Sequence, residues 1–321
     1  MFKTAHKTLY RWYETHGRHD LPWRNTDDPY RIWVSEIMLQ QTQVKTVLER
    51  FYFPFLETFP TLQELADAPL DDVLKQWEGL GYYTRARNLH KSAQLAAPRL
   101  PQTVEELKSL PGIGQSTAHA IAAFAFHTPV PIMDANVKRI LYRVFGAKKA
   151  TETELWRLAH RLFDEERPFD YNQAMMDVGA TLCLPKKSDC PRCPFLSVCK
   201  AAEDDPLAYP KKTRKKAVPV RRRQIVIHQN GRRYALSQRT SRFLNGLWGF
   251  NEYDVGDEIA TERRLGAITH QYSHFRLEAE VYLRHDPQAD AQWFTIEQIG
   301  DLALSGADHK ALALLPECHH V

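Results

Sequence analysis

The chain has 321 residues, 43% hydrophobic and 26% charged, the composition of a soluble globular protein rather than a disordered or membrane one, with room for two ordinary domains. No apolar run approaches the roughly 20 residues that cross a bilayer, and the start Met1–His6 lacks a secretion signal. The expectation is a cytoplasmic protein with no membrane contact; a net charge of +4 does not by itself indicate a polyanionic partner.

The segment Arg31 to Gln43 reads as a helix. Ile32 and Trp33 lie one turn before Glu36, and Leu39 and Gln40 one turn after, so Glu36 shares a mostly apolar face. A carboxyl there should have a raised pKa and hold a proton near neutrality, unless Glu36 is an ordinary surface residue. The amides of Gln40, Gln41 and Gln43 suit base-edge hydrogen bonds better than a core.

Further helical segments follow. Thr61 with Glu64, and Thr103 with Glu106, fit capping boxes. Pro69, Gly79, Gly81, Pro101 and Pro129 punctuate the chain, and Ser116–Phe126 and Ala135–Phe145 are periodic. Between helices, Leu110-Pro111-Gly112-Ile113-Gly114 permits a tight hairpin with positive φ and uncovered N–H groups, suited to a phosphate. Asp134 stands where the next helix begins, as an N-cap. A capping Asp receives N–H bonds and is expected to stay ionised, able to stabilise an oxocarbenium-like sugar. Glu36 as acid and Asp134 as anion then form a pair with contrasting environments.

Cys183, Cys190, Cys193 and Cys199 follow a 6–2–5 spacing, which zinc or a [4Fe–4S] cluster could use. The single close pair favours the cluster, and the spacing resembles the cluster loop of the endonuclease III and MutY glycosylases. Lys186, Lys187, Arg192 and Lys200 lie among these cysteines, for phosphate contact or for charge compensation. Residues 205–222 read as a linker whose basic run, Lys211 to Arg223, is a solvated connector or a phosphate contact. Beyond it, Gln224–His228, Tyr234–Leu236 and Leu277–Leu283 read as strands, the first two joined by a hairpin at Asn230-Gly231. Cys318 stands alone, as an inert thiol.

Taken in order, Leu21–Arg24, the Glu36 helix through Gln43, Gly79–Tyr83, the hairpin, the Asp134 segment, Asn172–Asp177 and the cysteine loop closely resemble MutY-type adenine DNA glycosylases. The resemblance implies a mainly α helix–hairpin–helix glycosylase domain with the cluster loop, residues 1–204. It further implies an α+β Nudix-like domain, residues 223–321, that recognises 8-oxoguanine. The implied activity is base excision repair: hydrolysis of the N-glycosidic bond of adenine opposite 8-oxoguanine or guanine in double-stranded DNA, by a monomer that flips the base. Glu36 would protonate adenine at N7 and Asp134 would stabilise the sugar cation. Gln41 and Tyr82 would wedge into the duplex, Trp23 would line the pocket, Gln173 would meet the adenine edge and Asn136 would support Asp134. Gly112 and Gly114 would grip phosphate.

Ser116 stands where the endonuclease III-type lyases carry their Schiff-base lysine, so a monofunctional enzyme beside the DNA backbone is implied. Arg239–Arg242, Gly246–Phe250 and Tyr272-Ser273-His274-Phe275 resemble parts of the lesion-reading module, with Ser273 and His274 as the readers; the other reading of His274 is a half-buried strand residue. Thr261–Arg264 lacks the acidic Nudix box, and His119 and Ala135 replace glycines of the family pattern. The competing readings are an endonuclease III-like lyase on oxidised pyrimidines and a non-catalytic damage sensor.

Overall fold

The computed structural model describes residues 2–211, 217–256, 263–285 and 291–316. Cys318, part of the basic run (212–216) and the segment Thr261-Glu262 lie outside the described residues. The chain forms two compact units, Met1–Gln43 with Leu95–Arg214, and Val44–Gln94 with Lys215–Val321. Boundaries read from sequence follow chain order; these units interleave, because residues 44–94 group with the second half.

The first unit is helical. In the Ala135–Val144 helix, Val137, Ile140, Leu141 and Val144 repeat at helical spacing and are buried. They meet Leu155, Ala159 and Leu162 of the Glu152–Leu162 helix, Leu9 and Tyr13 of the Lys3–His16 helix, and Ala174, Met175 and Val178 of the Pro168–Thr181 helix in one core. The Pro29–Met38 helix packs on the Gln115–Ala125 helix. Helix starts follow cap chemistry: Thr103 and Thr151 close reciprocal boxes with Glu106 and Glu154, and Thr61 accepts from Glu64 N at 3.2 Å.

In the second unit, short helices between Val44 and Gln94 accompany a mixed sheet. Its strands are β1 (Val220–Asn230), β2 (Arg233–Gln238), β3 (Trp248–Gly249), β4 (Asn251–Asp254), β5 (Arg263–Gln271), β6 (Arg276–Arg284) and β7 (Gln292–Phe294). β1 turns into antiparallel β2 at Gly231, whose φ of 59° suits glycine, and runs parallel to β6, which pairs antiparallel with β5. Arg221–Arg223, assigned to the linker and its basic run, instead begin β1, because the ladder with β6 extends back to Val220. Along β6 burial alternates, with Leu277, Ala279, Val281 and Leu283 facing the core.

A buried ion pair closes this core. Arg239 donates through both terminal nitrogens to Asp308, at 2.8 and 3.0 Å, and Asp308 also accepts from Ser305 Oγ at 2.6 Å. Burial opposes the Arg239 charge, but Asp308 and Glu252 push its pKa above the ordinary value. Removing one member strands the other. Asp308→Ala is expected to cost about 3–5 kcal/mol. Urea unfolding followed by circular dichroism tests this, and an unchanged midpoint would mean that Arg239 is solvated without its partner.

Candidate active site

Glu36 lies on the Pro29–Met38 helix, which starts at Asp28 with its side chain accepting from Tyr30 N at 3.0 Å. The helix ends at Met38 and does not run to Gln43. Residues 39–42 form a turn, with Thr42 N donating to Leu39 O at 3.3 Å and Gln41 at a φ of 58°. Nothing in Leu-Gln-Gln signals this stop, since all three residues tolerate a helix. Gln41 is exposed in a left-handed backbone that a non-glycine residue adopts at a cost, a common mark of functional sites. Gln40 is half-buried and donates to Thr117 Oγ1 at 3.2 Å.

Glu36 keeps a little exposed surface but is deeply surrounded. Burial, and then the nearby charge of Asp134, push its pKa to about 7 against the opposing influence of Arg24. Asp134 is the N-cap of the Ala135–Val144 helix, accepting from Val137 N at 2.7 Å and Asn136 Nδ2 at 3.1 Å. Its pKa is nevertheless raised: burial outweighs those donors and the cation of Arg139. Cap geometry alone pointed the other way, because depth of burial is not visible in sequence.

Several groups fix Asp134 in place. Ser116 Oγ donates to Met133 O at 2.8 Å, so this hydroxyl ties two elements together. Buried Asn172 holds the approach, accepting from Ile132 N and donating to Val130 O, both at 2.9 Å. Asn136 Oδ1 accepts from Arg139 Nη2 at 2.8 Å, and Arg139 also donates to Gly179 O and Cys183 O, each at 2.6 Å. Lys138 is paired with Glu152 at 2.7 Å. Buried His119 faces Pro131 O at 2.9 Å through Nδ1. In the hairpin only Gly112 has a positive φ, 77°; Gly114 is extended and caps the Gln115–Ala125 helix without a side chain, so one glycine makes the turn and the other leaves the cap open. Trp23 and Gln173 are buried in the same unit.

The four cysteines of the loop are free thiols, each half-buried. Burial raises the Cys193 thiol to about 12, and Cys183, Cys199 and Cys190 add to the rise, so the four sulfurs bear on one another. Arg143, itself buried, donates to Cys183 Sγ at 3.1 Å. Among the described residues no three Cys, His, Asp or Glu are grouped to hold a single metal ion. Four thiols in one loop, with a guanidinium donating to the first of them, are a donor set of the chemistry that iron–sulfur clusters use.

The second unit holds a separate cavity of about 520 Å³. It brings Tyr82 together with Tyr272, Ser273 and His274, and adds Arg242 and Phe243. Tyr82 is exposed, with a φ of 53°. Ser273 Oγ lies 3.0 Å from His274 Nδ1, and the Phe243 ring sits edge-on to Tyr272 and His274. Arg87, Phe243 and Leu244 were not anticipated; only their place beside family-like motifs could have flagged them.

Two family models match: the HhH-GPD superfamily base excision DNA repair protein over residues 34–165, and the NUDIX domain over 224–314. The first span contains Glu36, the hairpin and Asp134, and the second Ser273 and His274. An adenine DNA glycosylase of Buchnera aphidicola subsp. Baizongia pistaciae is 38% identical over 252 residues, 76% of this chain and 71% of that protein. The chain belongs to the adenine DNA glycosylase family. The human adenine DNA glycosylase is 43% identical over 214 residues, covering 61% of this chain and 39% of the human one. Among solved structures, a thermostable thymine-DNA glycosylase aligns with a TM-score of 0.58 at 29% identity, over 63% of this chain and 97% of that one. This adenine DNA glycosylase is therefore a DNA N-glycosylase of base excision repair, with a helix–hairpin–helix glycosylase fold and a Nudix-like domain. No helix among its described residues is long and apolar enough to cross a membrane.

Gly179 sets how close the Pro168–Thr181 helix comes to Asn136, since a Cβ there would lie 2.5 Å from Asn136 Cβ. Gly179→Ala is expected to destabilise the enzyme by about 1–3 kcal/mol through overpacking and to slow base removal by moving Asn136 off Asp134. Denaturation midpoints and single-turnover rates check both effects; wild-type values for both would show that the helices separate freely.

Proposed function

We propose that this adenine DNA glycosylase hydrolyses adenine mispaired with 8-oxoguanine, or with guanine, in double-stranded DNA, acting as a monomer in the cytoplasm. The observation that carries the mechanism is Glu36, pushed to about 7 beside a second carboxylate. Glu36 donates its proton to N7 of the flipped adenine, the C1′–N9 bond breaks, and its electron pair leaves with the base. Asp134 stabilises the positive sugar, and the Glu36 carboxylate takes a proton from the water that attacks C1′. Ser116, tied to Met133 O, offers no amine for a Schiff base, which supports a monofunctional enzyme over the endonuclease III-like reading.

Gln41 and Tyr82, both exposed in left-handed backbone, are the proposed wedges that offset the unstacking cost. Trp23 and Gln173 line and read the adenine pocket, and Gly112 and Gly114 hold phosphate. Asn136 supports Asp134. Cys183, Cys190, Cys193 and Cys199 hold a [4Fe–4S] cluster, which when bound fixes the loop that carries Lys186, Lys187, Arg192 and Lys200 toward the DNA backbone. In this reading residues 1–204 form the glycosylase domain and 223–321 the lesion reader.

The acid role predicts a pH profile. Glu36 acts protonated, so activity is present below its raised pKa and is lost as pH rises through about 7. Glu36→Gln should abolish base removal while retaining lesion-duplex affinity, as single-turnover and binding assays would show; near-normal turnover would remove Glu36 from the mechanism.

Ser273 and His274 share a cavity with Tyr82 and present polar atoms fit for the N7–H and O8 of 8-oxoguanine. Removing such contacts costs about 1–3 kcal/mol of discrimination per good pair. The Ser273→Ala/His274→Ala variant should therefore lose roughly ten- to a hundred-fold of the preference for 8-oxoguanine over guanine opposite adenine. Rates on both mispairs measure it, and unaltered preference would place lesion reading elsewhere.

A further inference from the structure

Arg24 is the cation that bears on Glu36, yet its guanidinium is engaged elsewhere. Nη1 donates to Asp177 Oδ2 at 2.8 Å and to Arg18 O at 3.1 Å, and Nη2 donates to Asp177 Oδ1 at 2.8 Å. Asp177 is wholly buried and also accepts from Arg18, through backbone N at 2.8 Å and Nε at 2.6 Å. The Arg24 side chain is only 5% exposed, so it has no solvent to turn into. The short turn Pro22–Arg24 that carries it packs against the Glu36 helix.

We propose that Asp177 is a positioning residue for the reaction: by taking both arms of Arg24 it withholds that guanidinium from Glu36, so that Glu36 enters the reaction carrying its proton. A free guanidinium beside a buried carboxyl would form a bidentate pair with it and favour the carboxylate, which cannot act as an acid. The Asp177 carboxyl suits the task. Burial alone would raise its pKa, but Arg24 and Arg18 hold it below the ordinary value, so it remains an anion where Glu36 does not.

The other groups around Glu36 do not provide this control. Asp134 acts in the opposite sense to Arg24. Arg31, on the same helix, pairs with Asp28 at 3.5 Å. The Gln115–Ala125 helix, packed against it, brings Gln115, Ser116, Thr117 and His119, the last facing Pro131 O. Tyr13 lies against Arg24 with its hydroxyl kept neutral by burial.

The inference rests on Glu36 as the acid, and the test separates the two. Single-turnover adenine excision would be measured against pH for wild type, Glu36→Gln, Asp177→Asn, Asp177→Glu and the double variant Arg24→Gln/Asp177→Asn, with folding checked by circular dichroism. Asp177→Asn frees Arg24, so the alkaline limb should move down by at least about one pH unit, a roughly ten-fold loss above the limb. Asp177→Glu keeps the pair and should hold the limb near its wild-type position. The double variant removes the competing cation and should return the limb to or above wild type, which a merely structural role of Asp177 would not produce. If Asp177→Asn does not fold, the double variant carries the test alone: a limb at or above wild type supports the proposal, and one below it overturns it. A folded Asp177→Asn with an unmoved limb, or a shifted limb that the double variant fails to restore, also overturns it. An active Glu36→Gln enzyme would instead overturn the acid assignment beneath it.

Discussion

Two carboxyl groups brought close in a desolvated site repel once both are ionised, so one must keep its proton. Glu36 and Asp134 are such a pair, and much of the first unit serves to keep them different. Asp134 has donors: Val137 N and Asn136 Nδ2, with Arg139 behind. Glu36 is held by burial and by one cation that is committed to Asp177. Burial raises both, so it cannot by itself decide which group holds the proton. The hydrogen bonds decide, because they favour the anion at one site and leave it unsupported at the other.

The second unit solves another problem, that of holding the exposed side chains of Tyr82, Ser273 and His274 on a firm base. Glu78 is its hub: Oε1 accepts from Leu304 N at 2.8 Å and lies 2.6 Å from His309 Nε2, while Oε2 accepts from Lys75 at 2.8 Å. Burial works against the Glu78 anion, yet these partners hold its pKa near 2. Tyr83 donates to Leu304 O at 3.2 Å and accepts from Gly79 N at 3.3 Å. The residues on either side of Tyr82 are thus anchored to the Nudix-like module, while Tyr82 itself stays exposed. Residues 44–94 group with the second half of the chain, although the family models divide it in order.

Much of this was legible in sequence, for identifiable reasons. Periodicity located the Ala135–Val144 helix and the alternation of β6, and cap chemistry placed Asp134 at a helix start, because these are local properties of consecutive side chains. The stop at Met38 was not legible, since Gln41 adopts its left-handed backbone without a glycine to announce it. Nor was the raised pKa of Asp134, which depends on how much protein closes over it. The start of β1 at Val220 was hidden because Arg221–Arg223 look like linker until β6 is seen to pair with them. Asp177 lay inside a recognised motif, but its task depends on Arg24, some 150 residues away in sequence.

The same device recurs at three places, a guanidinium whose fork is occupied on purpose. Arg24 is held by Asp177, Arg139 by Asn136, Gly179 O and Cys183 O, and Arg239 by Asp308 and Glu252. A lysine could balance the charge but not fix two directions at once, because its ammonium lacks the planar fork. Arg139 uses that property most fully. One side chain joins the partner of Asp134, the close helix approach at Gly179 and the first cysteine of the loop. Through Arg139 the loop therefore reaches the N-cap of the Ala135–Val144 helix, where Asp134 stands. The hydrogen bonds run without a break from Cys183 O through Arg139 and Asn136 to Asp134, so the geometry of the loop and that of the cap are set together.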